Sequence, residues 1–318
     1  MIVAARARRL KACSSSLALT AWLVACGGST SEPSVDATGA GAGGAGGGAA
    51  SSTGSGAPAT PDPALQPAVT GTCPALVDGY ADFAPSGLSA RSVRLWLDPA
   101  ALGKGGPLVF YWHGTGSKPE EAEYGLSPTT VAEIKAMGGI VAAPKHDPNA
   151  GQFPWFHTTG TGPDNDLLLA DEILACATRD AGIDVRRVHA IGMSAGGLQT
   201  TQMSYRRSGY LASVATYSGG LFGNPPHQED ANKFPAMIFH GGDSDQVVVA
   251  FKKLSEAYRD DLRETGHFAF VCDHGKGHKI PTDARTSVWQ FFQAHPYGTS
   301  PSPYEAGLPA GFPSYCGL

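Results

Sequence analysis

The most chemically informative stretch of the chain is Gly192-Met193-Ser194-Ala195-Gly196. A β-type run, Arg187-Val188-His189-Ala190-Ile191, precedes it, and a helix-type run over 197–207 follows. That strand-turn-helix setting lifts a serine hydroxyl onto a sharp bend at a helix N-terminus, where it can serve as a nucleophile. Glycine is needed on both sides, because a Cβ at either position would clash with neighbouring backbone. A serine alcohol attacks only when a base takes its proton, and the base must itself be oriented. Chains with this kind of bend supply the acid and then the base further along. Two aspartates qualify as the acid, Asp243 and Asp245, in His240-Gly241-Gly242-Asp243-Ser244-Asp245. Asp245 is favoured because it stands immediately before the apolar run that opens the next helix, and Asp243 stays open as the alternative. Two histidines compete as the base in Asp273-His274-Gly275-Lys276-Gly277-His278. His278, among glycines and ahead of Pro281, lies in a loop able to bend back over a sheet, whereas His274 lies nearer the strand end.

Acyl transfer also requires donors aimed at the developing oxyanion. One is expected to be the backbone N–H of Ala195. The other is expected in the small-residue loop His113-Gly114-Thr115-Gly116, with Thr115 first and Gly114 next. The long segment 144–163 carries Phe153, Trp155, Phe156 and His157 and could wall a substrate pocket. Trp155 is the candidate for stacking on an aromatic acid or a sugar ring. His113 reads first as a packed, hydrogen-bonded histidine, with substrate binding kept as a candidate role.

The elements that must position these groups alternate along the chain. Strand patterns fall over 92–97, 107–112, 139–143, 187–191, 212–217, 236–239 and 268–272. Helical patterns fall over 128–137, 164–179, 197–207, 248–264 and 282–293. Several strands are continuous apolar runs, as in Pro107-Leu108-Val109-Phe110-Tyr111-Trp112, which suits strands buried on both faces. The alternation predicts an α/β fold with a mostly parallel central sheet and helices on both faces.

The N-terminal part reads differently. Residues 1–25 combine a basic start, MIVAARARRLK, with an apolar stretch too short to span a bilayer, as an export signal does. The signal closes on Leu23-Val24-Ala25-Cys26, which resembles the bacterial lipobox. That resemblance implies lipidation of Cys26 and anchorage to a bacterial membrane. With Gly27 rather than an aspartate next, the outer membrane is expected, and plain secretion is the alternative. Residues 26–70 are rich in Gly, Ser and Ala, with few large apolar side chains to offset ordering entropy, and are expected to form a flexible tether. Residues 71–318 suit one catalytic domain. Its four cysteines, Cys73, Cys176, Cys272 and Cys316, suggest two disulfides in an exported protein, with three pairings open. No C-x-x-C spacing supports a metal site. A net charge of -5 speaks against nucleic acid as a partner and leaves the N-terminal lipid as the membrane contact.

Taken together, GMSAGG, the HGTG loop, Ile183-Asp184 with Arg187-Val188, HGGDSD and HGKGHKIP resemble the polyhydroxybutyrate depolymerase and feruloyl or acetylxylan esterase group over residues 73–295. The resemblance implies an α/β-hydrolase fold, no metal, no organic cofactor, and Ser194, Asp245 and His278 as a catalytic triad. It implies ester substrates: feruloyl or acetyl esters of plant polysaccharide, or hydroxyalkanoate polyesters and oligomers. A serine peptidase on the same fold and a catalytically silent surface binding protein are the competing readings.

Overall fold

The computed structural model describes residues 61–318. The export signal, Cys26 and all but the last ten residues of the expected tether lie outside that range. Residues 61–70, assigned by composition to the tether, instead run along the domain. Ala64 N donates to the Tyr297 hydroxyl at 3.2 Å, Leu65 N to Gly209 O at 3.1 Å, and Thr70 N to Glu172 Oε2 at 2.8 Å. Composition misplaced this boundary because backbone donors and one leucine suffice to dock an otherwise small-residue segment.

Among the described residues the strands form one sheet in the order β1-β2-β4-β3-β5-β6-β7-β8-β9. These are β1 (Gly79–Phe83), β2 (Arg91–Trp96), β3 (Leu108–Trp112), β4 (Ile140–Pro144), β5 (Val188–Met193), β6 (Ser213–Tyr217), β7 (Ala236–His240), β8 (Ala269–Asp273) and the short β9 (Cys316–Gly317). Pairing is parallel from β4 through β8; β1, β2 and β9 join antiparallel at the two ends. The continuous apolar runs take the central places, and every residue of β3, β5, β6 and β7 is buried. β2, whose sequence alternates, is half-buried in the same rhythm.

Alternate side chains of each strand feed two cores, one on each face. Leu108, Phe110 and Trp112 of β3 join the apolar side chains of α3 (Asn165–Ala181), α4 (Ala195–Arg206) and α5 (Phe251–Glu264). Val109 and Tyr111 join those of α1 (Glu121–Leu126), α2 (Pro128–Ala136) and α6 (Arg285–Ala294). Helices thus cover both faces, as a mostly parallel sheet requires. β1, α1 and β9 carry no periodicity long enough to read from sequence. The pattern over 248–264 becomes helix only from Phe251, because Gln246 and Ala250 bridge and hold Val247 to Val249 in an irregular turn.

Two disulfides select one of the three open pairings. Cys73–Cys176 ties the N-terminal lead-in to α3, and Cys272–Cys316 ties β8 to β9. Disulfides of this kind persist in extracellular or periplasmic surroundings. No helix among the described residues is long and apolar enough to cross a membrane.

Candidate active site

The site stands at the C-terminal ends of the parallel strands, where loops from β3, β5, β7 and β8 converge. Ser194 stands between β5 and α4 with φ 57° and ψ -120°, a region a non-glycine residue occupies only under constraint. The constraint is visible on both sides. A Cβ on Gly192 would lie 2.3 Å from Gly196 O, and one on Gly196 would lie 1.8 Å from Trp112 O. β6 closes the bend from the other flank, with Ser194 N donating to Tyr217 O at 2.9 Å.

Ser194 Oγ is 2.9 Å from His278 Nε2, and His278 Nδ1 is 2.7 Å from Asp245 Oδ1. The β8-to-α6 loop delivers His278 by pairing Gly277 N with Gly241 O at 2.9 Å. The Phe251 ring stacks on the imidazole at a centroid distance of 4.7 Å. Asp245 is buried and receives two further donors on its other oxygen, Ser218 Oγ at 2.8 Å and Gly241 N at 2.9 Å. Burial pushes its carboxyl upward, but the hydrogen bonds from His278, Gly241 and Ser218 outweigh burial and hold it below the usual aspartate range. An ionised Asp245 accepts Nδ1–H and leaves Nε2 free to accept the serine proton. Asp243 is fully solvent-facing, paired with Lys252 Nζ at 2.8 Å. His274 is turned inward, accepting from Lys276 N at 3.2 Å and packing edge-on to Tyr315.

A cavity of about 420 Å³ opens beside Ser194 and His278, and Thr115 and Ala195 line it. Gly114 N is taken by Glu121 Oε1 at 3.1 Å, whereas the N–H groups of Thr115 and Ala195 meet no acceptor among the described residues. Ala195 is also the first residue of α4, whose N-terminal amides lack intrahelical partners. The cavity wall is mostly apolar, built from Phe153, Leu198, Phe222, the Val247 to Val249 turn and Phe251. Among the described residues, no charged side chain lines it apart from His278 itself when protonated.

Both substrate-binding candidates are packed side chains. Trp155 is 1% exposed; its Nε1 donates to His113 O at 2.9 Å, and its ring meets Trp112 edge-on at 4.9 Å. An indole whose N–H is already satisfied inside the core has no face left for substrate. His113 is equally buried, donates from Nδ1 to Gly114 O at 2.9 Å, and is held neutral by burial, its pKa drawn down to about 4. The 144–163 segment still supplies the wall, through Phe153 rather than Trp155. Leu198, Phe222, Ser218 and Glu121 escaped the sequence reading. None carries a local signal; each acquires its place only from the packing of separate elements. Cys73, Glu172 and Cys176 come close enough to hold a cation, but both sulfurs are spent in the disulfide, so this cluster has no thiolate to offer.

Sheet order, helix layers and the bend at Ser194 define an α/β-hydrolase fold with a serine, histidine and aspartate in hydrogen-bonded series. The chain is similar to solved structures of that fold. Native pOPH superposes with a TM-score of 0.60 at 18% identity, covering 77% of this chain and 96% of the other. A thermostable esterase superposes with a TM-score of 0.54 at 17% identity, covering 69% and 64%. Esterase PE8 gives a TM-score of 0.51 at 19% identity, covering 64% and 98%. In sequence, the chain is 28% identical over 177 residues to the "Putative esterase NocK" of Nocardia uniformis subsp. tsuyamanensis. That match takes in 54% of this chain and 49% of the relative, about half of its length. No family model matches the chain.

Proposed function

We propose that the protein is an exported serine carboxylic-ester hydrolase that works through an acyl-enzyme. His278 Nε2 takes the Ser194 proton as the oxygen attacks the ester carbonyl, and Asp245 keeps the imidazole in the receptive tautomer. The N–H groups of Thr115 and Ala195 stabilise the tetrahedral oxyanion, with help from the N-terminus of α4. The imidazolium returns its proton to the leaving alkoxide, and water then repeats the sequence to release the acid. The observation that carries this reading is the unbroken relay from Ser194 through His278 to Asp245, opening into an apolar cavity.

The wall chemistry favours a neutral, largely apolar acyl group, such as a feruloyl or acetyl ester or a hydroxyalkanoate oligomer. A peptidase that captures a substrate amine needs a carboxylate in the pocket, and the described lining offers none. Ser194→Ala is expected to abolish hydrolysis of p-nitrophenyl butyrate while the circular dichroism spectrum is kept; undiminished turnover would end the reading. A panel of methyl ferulate, acetylated xylan and hydroxybutyrate oligomers then ranks the substrates. The lipobox-like Leu23-Val24-Ala25-Cys26 supports anchorage of this domain to a bacterial outer membrane. A mature N-terminal peptide without lipid mass on Cys26 would refute that anchorage.

A further inference from the structure

Behind the loop that follows β3 stands a carboxylate with no part in the proton relay. Glu121 opens α1, and its Oε1 accepts from Gly114 N at 3.1 Å and from the Tyr111 hydroxyl at 3.2 Å. Tyr111 lies in β3, fully buried, and so is a fixed point. α1 is fastened to the sheet as well, because the Tyr217 hydroxyl donates to Gly125 O at 3.0 Å. Tyr217 is the residue whose carbonyl receives Ser194 N. One carboxylate oxygen therefore joins the loop to the same rigid frame that holds the nucleophile.

Resting on the hydrolase reading above, we propose that Glu121 is a positioning residue for the oxyanion site. By occupying the Gly114 N–H it fixes the His113–Gly114 peptide, while Ser117 N and His113 Nδ1 hold Gly114 O, so that the next amide, that of Thr115, faces the cavity opposite Ala195. Burial raises the Glu121 carboxyl above the usual glutamate range, and the donors from Ser117, Gly114 and Tyr111 offset this only in part. The role is geometric, and Glu121 touches no reacting atom. Misplacing an oxyanion donor costs transition-state binding far more than ground-state binding, because the full negative charge appears only in the former.

The test compares Glu121→Met, which keeps the length and loses the acceptor, with Glu121→Gln, which keeps an acceptor oxygen. With p-nitrophenyl butyrate, Glu121→Met is expected to lower kcat on the order of 10- to 100-fold with KM changed less than about threefold. Phenylboronic acid, whose adduct with the serine places an oxygen in the hole, is expected to lose affinity by a similar factor. Glu121→Gln is expected to recover most of both losses. A merely structural role would move melting temperature without separating kcat from KM or weakening the boronate selectively. Should the methionine variant not fold, Glu121→Asp carries the same expectation, since it withdraws the oxygen by one bond. Wild-type kcat in either variant, or boronate affinity unchanged while kcat falls, overturns the proposal. Ser194→Ala measured alongside keeps the two readings apart: if it still hydrolyses ester, the hydrolase reading fails. If it is dead and Glu121→Met keeps wild-type kcat, only the positioning role falls.

Discussion

Asp245→Asn is a sharp probe of the relay because the structure dictates which way the new amide must turn. Asp245 Oδ2 receives two donors, Ser218 Oγ and Gly241 N, while Oδ1 receives only His278 Nδ1. An asparagine has one acceptor oxygen. Placing it at the Oδ2 position satisfies two donors, one of them a backbone N–H that cannot reorient. Its NH2 then faces His278 Nδ1 and donates to it. The imidazole is forced into the tautomer with hydrogen on Nε2, which cannot accept the Ser194 proton. The opposite orientation sets NH2 against Gly241 N–H and leaves a buried donor unsatisfied, at about 1–3 kcal/mol. Loss of the receptive tautomer is expected to lower kcat about 10⁴-fold, equivalent to about 5 kcal/mol of barrier. Asp243→Asn, on an exposed side chain paired only with Lys252, is expected to stay within about twofold of wild type. The assay is initial-rate hydrolysis of p-nitrophenyl butyrate by both variants, with melting temperatures to show that each is folded. Normal turnover in Asp245→Asn, or collapse in Asp243→Asn, would refute this reasoning.

Further outcomes follow from burial and cross-linking. Burial holds His113, His267 and His295 neutral with pKa values of about 4, against 6.5 when unfolded. Below 6.5 the unfolded chain therefore binds protons that the folded chain refuses, so stability contributed by these groups is present above pH 6.5 and lost between 6.5 and about 4. Melting temperature should fall steeply across that window, and a flat profile would contradict the burial. Replacing Cys73 and Cys176 together by alanine opens a cross-link spanning 103 residues. On the chain-entropy model that costs about 4–5 kcal/mol, a drop of roughly 10 °C or more in Tm, and an unchanged thermal transition would show that the bridge contributes nothing.

The division between what sequence dictates and what packing decides follows the range of the forces involved. Local chemistry wrote the Gly192-to-Gly196 bend, since no side chain fits beside that backbone, and wrote the buried strands as apolar runs. Chain order alone narrowed the acid and base to two aspartates and two histidines. Between Asp243 and Asp245, two residues apart in one turn, the apolar run after Asp245 favours it but leaves Asp243 open. The choice comes from Ser218 and Gly241, which wait at the end of a buried pocket for one carboxylate. His278 rather than His274 reaches Ser194 because Gly277 is clamped to Gly241, a contact between loops after β7 and β8. Sequence alone leaves Trp155 open between stacking on substrate and anchoring its long loop; Trp112 and the His113 carbonyl draw it inward and leave Phe153 at the wall. Disulfide partners, cavity lining and the bond from Glu121 to Gly114 likewise join residues whose proximity no local pattern encodes. They became definite only when the sheet order brought separate strand ends to one edge.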